Sequence, residues 1–303
     1  MIDPAPSAAP SLPQGPVCCP NPVFVFGVPR SGTTAMAHAL GMHSGFYVGD
    51  ETFFLWELYQ QQRVEKVFEQ WATRPSSSWL RREGVSSAEF LAATGLGFNA
   101  LFTRSAGSRR WVDHTPHYCL MADTLSGMFP GARFIHVLRD GRQVVNSMIH
   151  IVATVPVEER EEMVSRGFLP AWSHDFREAC TTWQSYAHVA MDFCGRHPTR
   201  ALTVIHSELE RDPENTLAAV LRFLDAPLED GPAAFLRRDR INSSFTPQGG
   251  VPASEYRRPD PWTTWSAAQR ADFVDIAGPD LVRYGLASPE DLVLPAAGKT
   301  SSM

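Results

Sequence analysis

Apolar and polar positions follow two rhythms along this chain. Three short runs are apolar almost without a break: "VFVF" (Val23–Phe26) closed by Gly27, "RFIHVL" (Arg133–Leu138) and "ALTVIH" (Ala201–His206). Runs of this kind predict strands buried on both faces of a parallel sheet. Between them the spacing turns helical. Helices are predicted over Thr33–Leu40 with Gly41 as the stop, and over 53–73 as one amphipathic segment ended by the Pro-Ser-Ser-Ser break at 75–78. Others are predicted over 87–104, over "VVNSMIHIV" and over 175–194. "RDPENTLAAVLRFL" sets Asp212 as cap, Pro213 at the first helical position and Glu214 on the helix dipole. "SAAQ" (Ser266–Gln269) has capping-box spacing and opens a last helix. The charged "VEEREEMVSRGF" reads as a mobile segment, and no internal repeat is visible.

Strands alternating with helices predict an α/β three-layer sandwich: a central parallel sheet, helices on both faces, and helical insertions. Ligands in such folds sit beyond the carboxyl ends of the strands. The folded unit is expected over residues 21–289, with disordered tails at 1–20 and 290–303.

Composition narrows the function classes. Of 303 residues, 44% are hydrophobic and 20% charged, which supports a sizeable core and argues against broad disorder. A net charge of −6 lacks the broad basic face of a nucleic-acid binder. No apolar run is long enough to span a membrane. "MIDPAPSAAPSLPQGP" has neither the basic nor the apolar region of a secretory signal. Five cysteines without a CxxC pair read as reduced thiols rather than a disulfide or zinc framework. A cytoplasmic protein is expected, without a metal site; oligomeric state is not legible.

The chemistry begins after the first strand. Gly27-Val-Pro-Arg-Ser-Gly32-Thr33-Thr34 has the GxxxxG spacing of a phosphate loop. A glycine-rich strand-to-helix turn aims backbone N–H groups at one spot, and the helix dipole adds positive charge. Arg30 adds a full charge and a bidentate fork. Ser31, Thr33 and Thr34 add hydroxyls. The alternative is an ordinary corner made tight by glycines. A nucleoside triphosphatase would carry Lys where Thr33 stands, and no apolar run clearly ends in a Walker B Asp. After the second strand, "HVLRDGRQVVNS" sets Arg139 at the strand end and Ser147 in the following helix, a pair able to grip a second phosphate from two sides. Alone, that pair is equally a surface Arg and a solvated Ser.

Together these motifs resemble the sulfotransferases that use 3′-phosphoadenosine 5′-phosphosulfate (PAPS). "WVDHTPHY" (Trp111–Tyr118) is similar to that family's "DKTPxY", and "VIHSELERDPENTLAAVLRFLDAP" to its "YEDLxxDPxxTLxxxxxFLG". The resemblance covers roughly residues 21 to 286 and looks closest to the bacterial and carbohydrate-type branch. It implies a P-loop-like fold, and a loop at Arg30, Ser31, Gly32, Thr33 and Thr34 that holds the 5′-phosphosulfate. It implies an Arg139–Ser147 pair on the 3′-phosphate. The leaving group is then adenosine bisphosphate and the reaction needs no metal, so the missing Lys ceases to be a puzzle.

Transfer to an alcohol needs the hydroxyl proton removed as the O–S bond forms. Glu51 in "GDETFF" is the first candidate base, in a setting that resembles the "E-x-x-FF" of carbohydrate sulfotransferases; Asp50 is adjacent. His114 stands where the family usually carries Lys and is a candidate base or proton donor to the bridging oxygen. Each has a bland alternative, a solvated acidic turn and a loop histidine. His43, His117, His136 and His150 read as structural. Arg257 or Arg258 reads as a loop residue over a phosphate or as plain surface, and Trp262 and Trp265 as adenine-stacking or core. The insertions at 55–110 and 151–180 are expected to build the pocket of a small-molecule, lipid or carbohydrate acceptor. The expected function is thus a PAPS-dependent O-sulfotransferase, with a P-loop kinase-like phosphotransferase or a non-catalytic binding module as alternatives. Mg²⁺-dependent ATP binding would mark the kinase.

Overall fold

The computed structural model describes residues 17–74, 78–154, 157–165, 169–240, 251–252 and 260–293. In chain order the first half holds β1 (Val23–Gly27), α1 (Thr33–Gly41), β2 (Phe46–Val48), α2 (Phe53–Tyr59), α3 (Arg63–Ala72), α4 (Trp79–Arg82), α5 (Ser87–Ala106), β3 (Arg110–Asp113) and α6 (Ala122–Met128). There follow β4 (Arg133–Leu138), α7 (Gly141–His150), α8 (Val157–Ser165), α9 (Phe176–Arg196), β5 (Ala201–Ile205), α10 (His206–Arg211), α11 (Pro213–Phe223) and α12 (Gly231–Arg238). A two-residue antiparallel pair, Asp239–Arg240 with Val251–Pro252, precedes the closing helices α13 (Pro261–Thr264), α14 (Ala267–Ile276) and α15 (Gly278–Arg283).

The five long-range strands form one parallel sheet in the order β2-β3-β1-β4-β5. Alternation along a strand sorts side chains by face. Phe24 and Phe26 point to the side covered by α5, α6 and α9, where Phe24 stacks on Phe134 at 5.5 Å and meets Trp111 edge-on at 5.3 Å. Val23 and Val25 point the other way, against α1, α11 and α12.

Four sequence expectations need correction. Residues 53–73 form two helices, broken by Gln61 and Gln62 in the left-handed region (φ 60° and 54°). Leu55 and Val64, both buried in the same core, lie nine positions apart. At about 100° per residue a straight helix would put them on opposite sides, so the break brings both inward. "VEEREEMVSRGF" contains α8, a helix that the sequence reading did not place. His206 opens α10 instead of ending a strand. Two strands, β2 and β3, escaped sequence reading because each is only three or four residues long. The caps at Asp212 and Ser266 form as expected: Asp212 accepts from Asn215 N, and Ser266 with Gln269 makes the reciprocal box.

Candidate active site

The site lies past the carboxyl edge of the sheet, and its geometry starts with glycine. A Cβ on Gly27 would stand 2.6 Å from the Val137 carbonyl oxygen, so β1 ends on the residue that lets β4 approach. The chain then bends through Arg30 (φ 72°) and Gly32 (φ 103°), two left-handed residues within three. A non-glycine residue held there marks backbone strain of the kind found at ligand sites. Ser31 N closes the turn on Val28 O at 3.0 Å. The Ser31 hydroxyl is fully buried and has no hydrogen-bond partner among the described residues. Leaving a buried hydroxyl unpaired costs about 1–3 kcal/mol. This one stands at the start of the nine-residue α1, whose first N–H groups have no partner within the helix. An unpaired hydroxyl, a helix N-terminus and an arginine suit an oxyanion such as phosphate or sulfate.

The second motif comes to the same place. Asp140 caps α7 through Arg142 N at 2.8 Å, and Trp183 Nε1 donates to Arg139 O at 3.1 Å, fixing the β4 exit. Arg139 Nη1 donates to the Arg30 carbonyl at 2.8 Å and its Nε to Gln143 at 3.3 Å. Arg30 Nε reaches Ser147 Oγ at 3.4 Å. The loop and the Arg139–Ser147 pair are therefore in direct contact. Burial lowers the Arg30 pKa from its usual value, with the carboxylate of Glu51 acting in the opposite direction.

That electrostatic reach brings in the third group. Glu51 follows β2 and is held by its neighbour Thr52. Thr52 N donates to Thr115 Oγ1 at 2.9 Å, and its hydroxyl donates to the buried Asp113. Tyr118 donates to the Thr52 carbonyl. Asp113 also accepts from Thr115 N at 2.8 Å, and burial raises its pKa. The Glu51 carboxylate lies 3.6 Å from His114 Nδ1, an ion-pair distance rather than a hydrogen bond. Burial opposes a charge on His114, but Glu51 and Asp113 together outweigh it and raise its pKa.

Three histidines join that sequence reading did not place here. His38 on α1 meets His114 edge-on at 5.8 Å; burial first, then the neighbouring imidazole, lowers its pKa. His117 sits among Phe53, Trp56 and Tyr186 at 5.1, 5.9 and 5.7 Å, its Nδ1 buried without a partner among the described residues. Burial lowers its pKa, against the pull of Glu51. His206 lies against the loop: a Cβ on Gly32 would stand 2.6 Å from its Cδ2, and its Nδ1 is 3.4 Å from Glu210. Its position at the end of the third apolar run was the available signal, since every strand end in a parallel sheet faces the ligand edge. His43, His136 and His150 stay structural: His43 contacts the Pro227 carbonyl at 2.9 Å, His150 the Asn146 carbonyl at 2.7 Å, and burial holds His136 down at about 3.

Trp265 is core, packed on Phe176 and Phe273 and donating to Asn146 at 3.0 Å, while Trp262 packs beside it. Arg257 and Arg258 lie outside the described residues. Among the described residues no cluster of three or more His, Cys, Asp or Glu is placed to hold a metal ion.

Comparison with known proteins fits this arrangement. A protein-tyrosine sulfotransferase of Drosophila melanogaster is 28% identical over 239 residues, covering 78% of this chain and 43% of that protein. One from Danio rerio is 26% identical over 238 residues, covering 78% and 60%. Protein-tyrosine sulfotransferase A of Caenorhabditis elegans is 29% identical over 213 residues, covering 69% and 50%. The chain thus spans about half the length of these curated relatives. The sulfotransferase domain of the Synechococcus PCC 7002 olefin synthase superposes with a TM-score of 0.51 at 19% identity, covering 89% of this chain and 96% of that domain. A mouse sulfotransferase solved with PAP gives 0.52 at 13% identity, covering 88% and 87%. Both likenesses show the fold: an α/β sandwich of the P-loop-like type. A model of the sulfotransferase family matches residues 22–230, from β1 to the residue before α12, and the chain belongs to that family.

Proposed function

We propose that this protein is a PAPS-dependent O-sulfotransferase. One observation carries the reading: Arg30 touches Ser147 while lying within electrostatic reach of Glu51, so anion grip and candidate base come near one another. In the proposed step the acceptor oxygen attacks sulfur and the acceptor proton passes to Glu51. The S–O bond to the 5′-phosphate breaks, and adenosine 3′,5′-bisphosphate leaves. Arg30, the buried Ser31 hydroxyl and the α1 N-terminus bind the 5′ end and take up charge on the bridging oxygen. Arg139 and Ser147 hold the 3′-phosphate. The raised pKa of His114 favours an imidazolium, which supports a proton donor or fixed cation there rather than a second base.

The acceptor is a hydroxyl. Small molecules, lipids and carbohydrates all stay in the proposal, and the names of the curated relatives add the phenolic hydroxyl of tyrosine. A carbohydrate-type placement within the family rests on Arg30 in the loop and on the Glu51 setting. A cytoplasmic location is part of the same proposal; its support is that all five cysteines are free thiols. No helix of the described residues is long and apolar enough to cross a membrane.

Calorimetry with adenosine 3′,5′-bisphosphate against Mg·ATP, followed by labelled-sulfate transfer across sugars, phenols, lipids and tyrosyl peptides, tests the proposal. Tight bisphosphate binding with chelator-resistant transfer is expected. Preferential Mg²⁺-dependent ATP binding would replace it with the kinase reading.

A further inference from the structure

A cavity of about 300 Å³ opens beside Glu51, between the ends of β2 and β3 and the helices α2 and α5. Its walls are the rings of Tyr47, Phe54, Phe102 and Trp111. Phe102 lies edge-on to Trp111 at 5.0 Å and 6.1 Å from Phe54, so the rings support one another. Two polar groups of this wall are engaged, while the side chains of Tyr47, Ser105 and Asp50 make no hydrogen bond among the described residues. Trp111 Nε1 donates to Asn99 at 3.1 Å, and Asp113 is held by Thr52 and Thr115. The cavity therefore offers four ring faces, with unclaimed polar groups at Tyr47, Ser105 and Asp50. The ring faces favour a flat apolar ring over a sugar, whose hydroxyls project all round it. The volume is small for a long acyl chain. A cavity of about 150 Å³ already holds benzene, so twice that takes one ring with a substituent.

Charge narrows the occupant further. Among the described residues no Lys or Arg lines the cavity, while Asp50 and Glu51 do. Glu51 faces His114, whereas Asp50 is exposed and makes no hydrogen bond among the described residues. A guanidinium, that of Arg109, lies over the Tyr47 ring at 5.1 Å.

We infer that this cavity is an acceptor specificity subsite that seats a single aromatic ring and, through Asp50, selects a neutral or cationic substituent over an anionic one. The inference rests on the sulfotransferase reading and adds the acceptor's shape and charge to it. Phenols are the simplest occupants: the ring fills the cavity and its hydroxyl turns toward Glu51. An exposed carboxylate facing a substituent across a partly solvated gap discriminates roughly fivefold between opposite charges.

The test uses the full chain with adenosine 3′,5′-bisphosphate bound, and reads phenol binding by saturation-transfer NMR alongside KM for sulfate transfer. Tyramine, 4-ethylphenol, 4-hydroxyphenylpropionate, cyclohexanol and galactose are the probes. The wild type should bind tyramine and 4-ethylphenol more tightly than 4-hydroxyphenylpropionate, with cyclohexanol and galactose weakest. Ser105, exposed on α5 at the cavity, is changed to Trp to fill it. Ser105→Trp should weaken phenol binding by roughly tenfold while nucleotide affinity is unchanged, since a filled pocket forfeits the buried ring. Asp50→Lys should reverse the preference between tyramine and 4-hydroxyphenylpropionate. Unaltered phenol binding in Ser105→Trp, an unmoved charge preference in Asp50→Lys, or galactose or cyclohexanol binding best overturns the inference while leaving nucleotide-dependent transfer intact. Failure of the wild type to bind the bisphosphate overturns both readings.

Discussion

Gly32 is where the loop's geometry can be tested most sharply. Gly32→Ala asks two things of the structure. The backbone must hold φ 103°, which costs an L-residue about 1–2 kcal/mol. The new Cβ must also fit 2.6 Å from His206 Cδ2 and 2.9 Å from Nε2, whereas carbon contacts are comfortable at about 3.5–4.0 Å. Forced overpacking of this kind costs about 1–3 kcal/mol, so the total is about 2–5 kcal/mol. Only the second part depends on the imidazole. In a His206→Ala background the alanine should cost just the backbone share of about 1–2 kcal/mol. Urea unfolding of the four proteins of this cycle, followed by circular dichroism, isolates the difference, a coupling of about 1–3 kcal/mol. Additivity within about 0.5 kcal/mol would refute the claim that His206 packs on the phosphate loop. Calorimetry on the same proteins should show Gly32→Ala losing bisphosphate affinity, since the strained turn sets the start of α1.

Four further outcomes are expected. Glu51→Gln should keep nucleotide affinity and lower transfer by about 10²-fold or more in the labelled-sulfate assay; undiminished turnover would pass the base role to Asp50 or His114. Arg139→Ala should weaken adenosine 3′,5′-bisphosphate more than adenosine 5′-phosphate by calorimetry, and equal losses would detach Arg139 from the 3′-phosphate. A folded-state pKa raised above the unfolded imidazole value of about 6.5, as at His114, adds stability below that value and loses it as pH climbs through the folded one. The stability gap between wild type and His114→Gln should therefore shrink from about pH 6 upward; because burial depresses His136 and acts with the opposite sign, the difference is measured rather than the whole curve. Phe24→Ala, in a ring cluster with no solvent exposure, should cost about 3–5 kcal/mol in urea unfolding.

What the sequence by itself determined was local. "VFVF" already contained the two faces of β1, because alternation is built into extended backbone. The glycine spacing and its arginine marked an anion loop, and the caps at Asp212 and Ser266 followed from side chains that reach only their own helix. Glu51 and His114 stood out as candidates, but as unrelated ones. Tertiary structure decided what meets. β2 and β3 carry too few residues for a periodic signal, yet they place Glu51 against His114 and Arg30. The split between α2 and α3 was invisible because no Gly or Pro marks it; burying Leu55 and Val64 in one core is a demand of packing. His38, His117 and His206 belong to three distant segments, and only tertiary structure sets the first beside His114, the second within electrostatic reach of Glu51 and the third against Gly32.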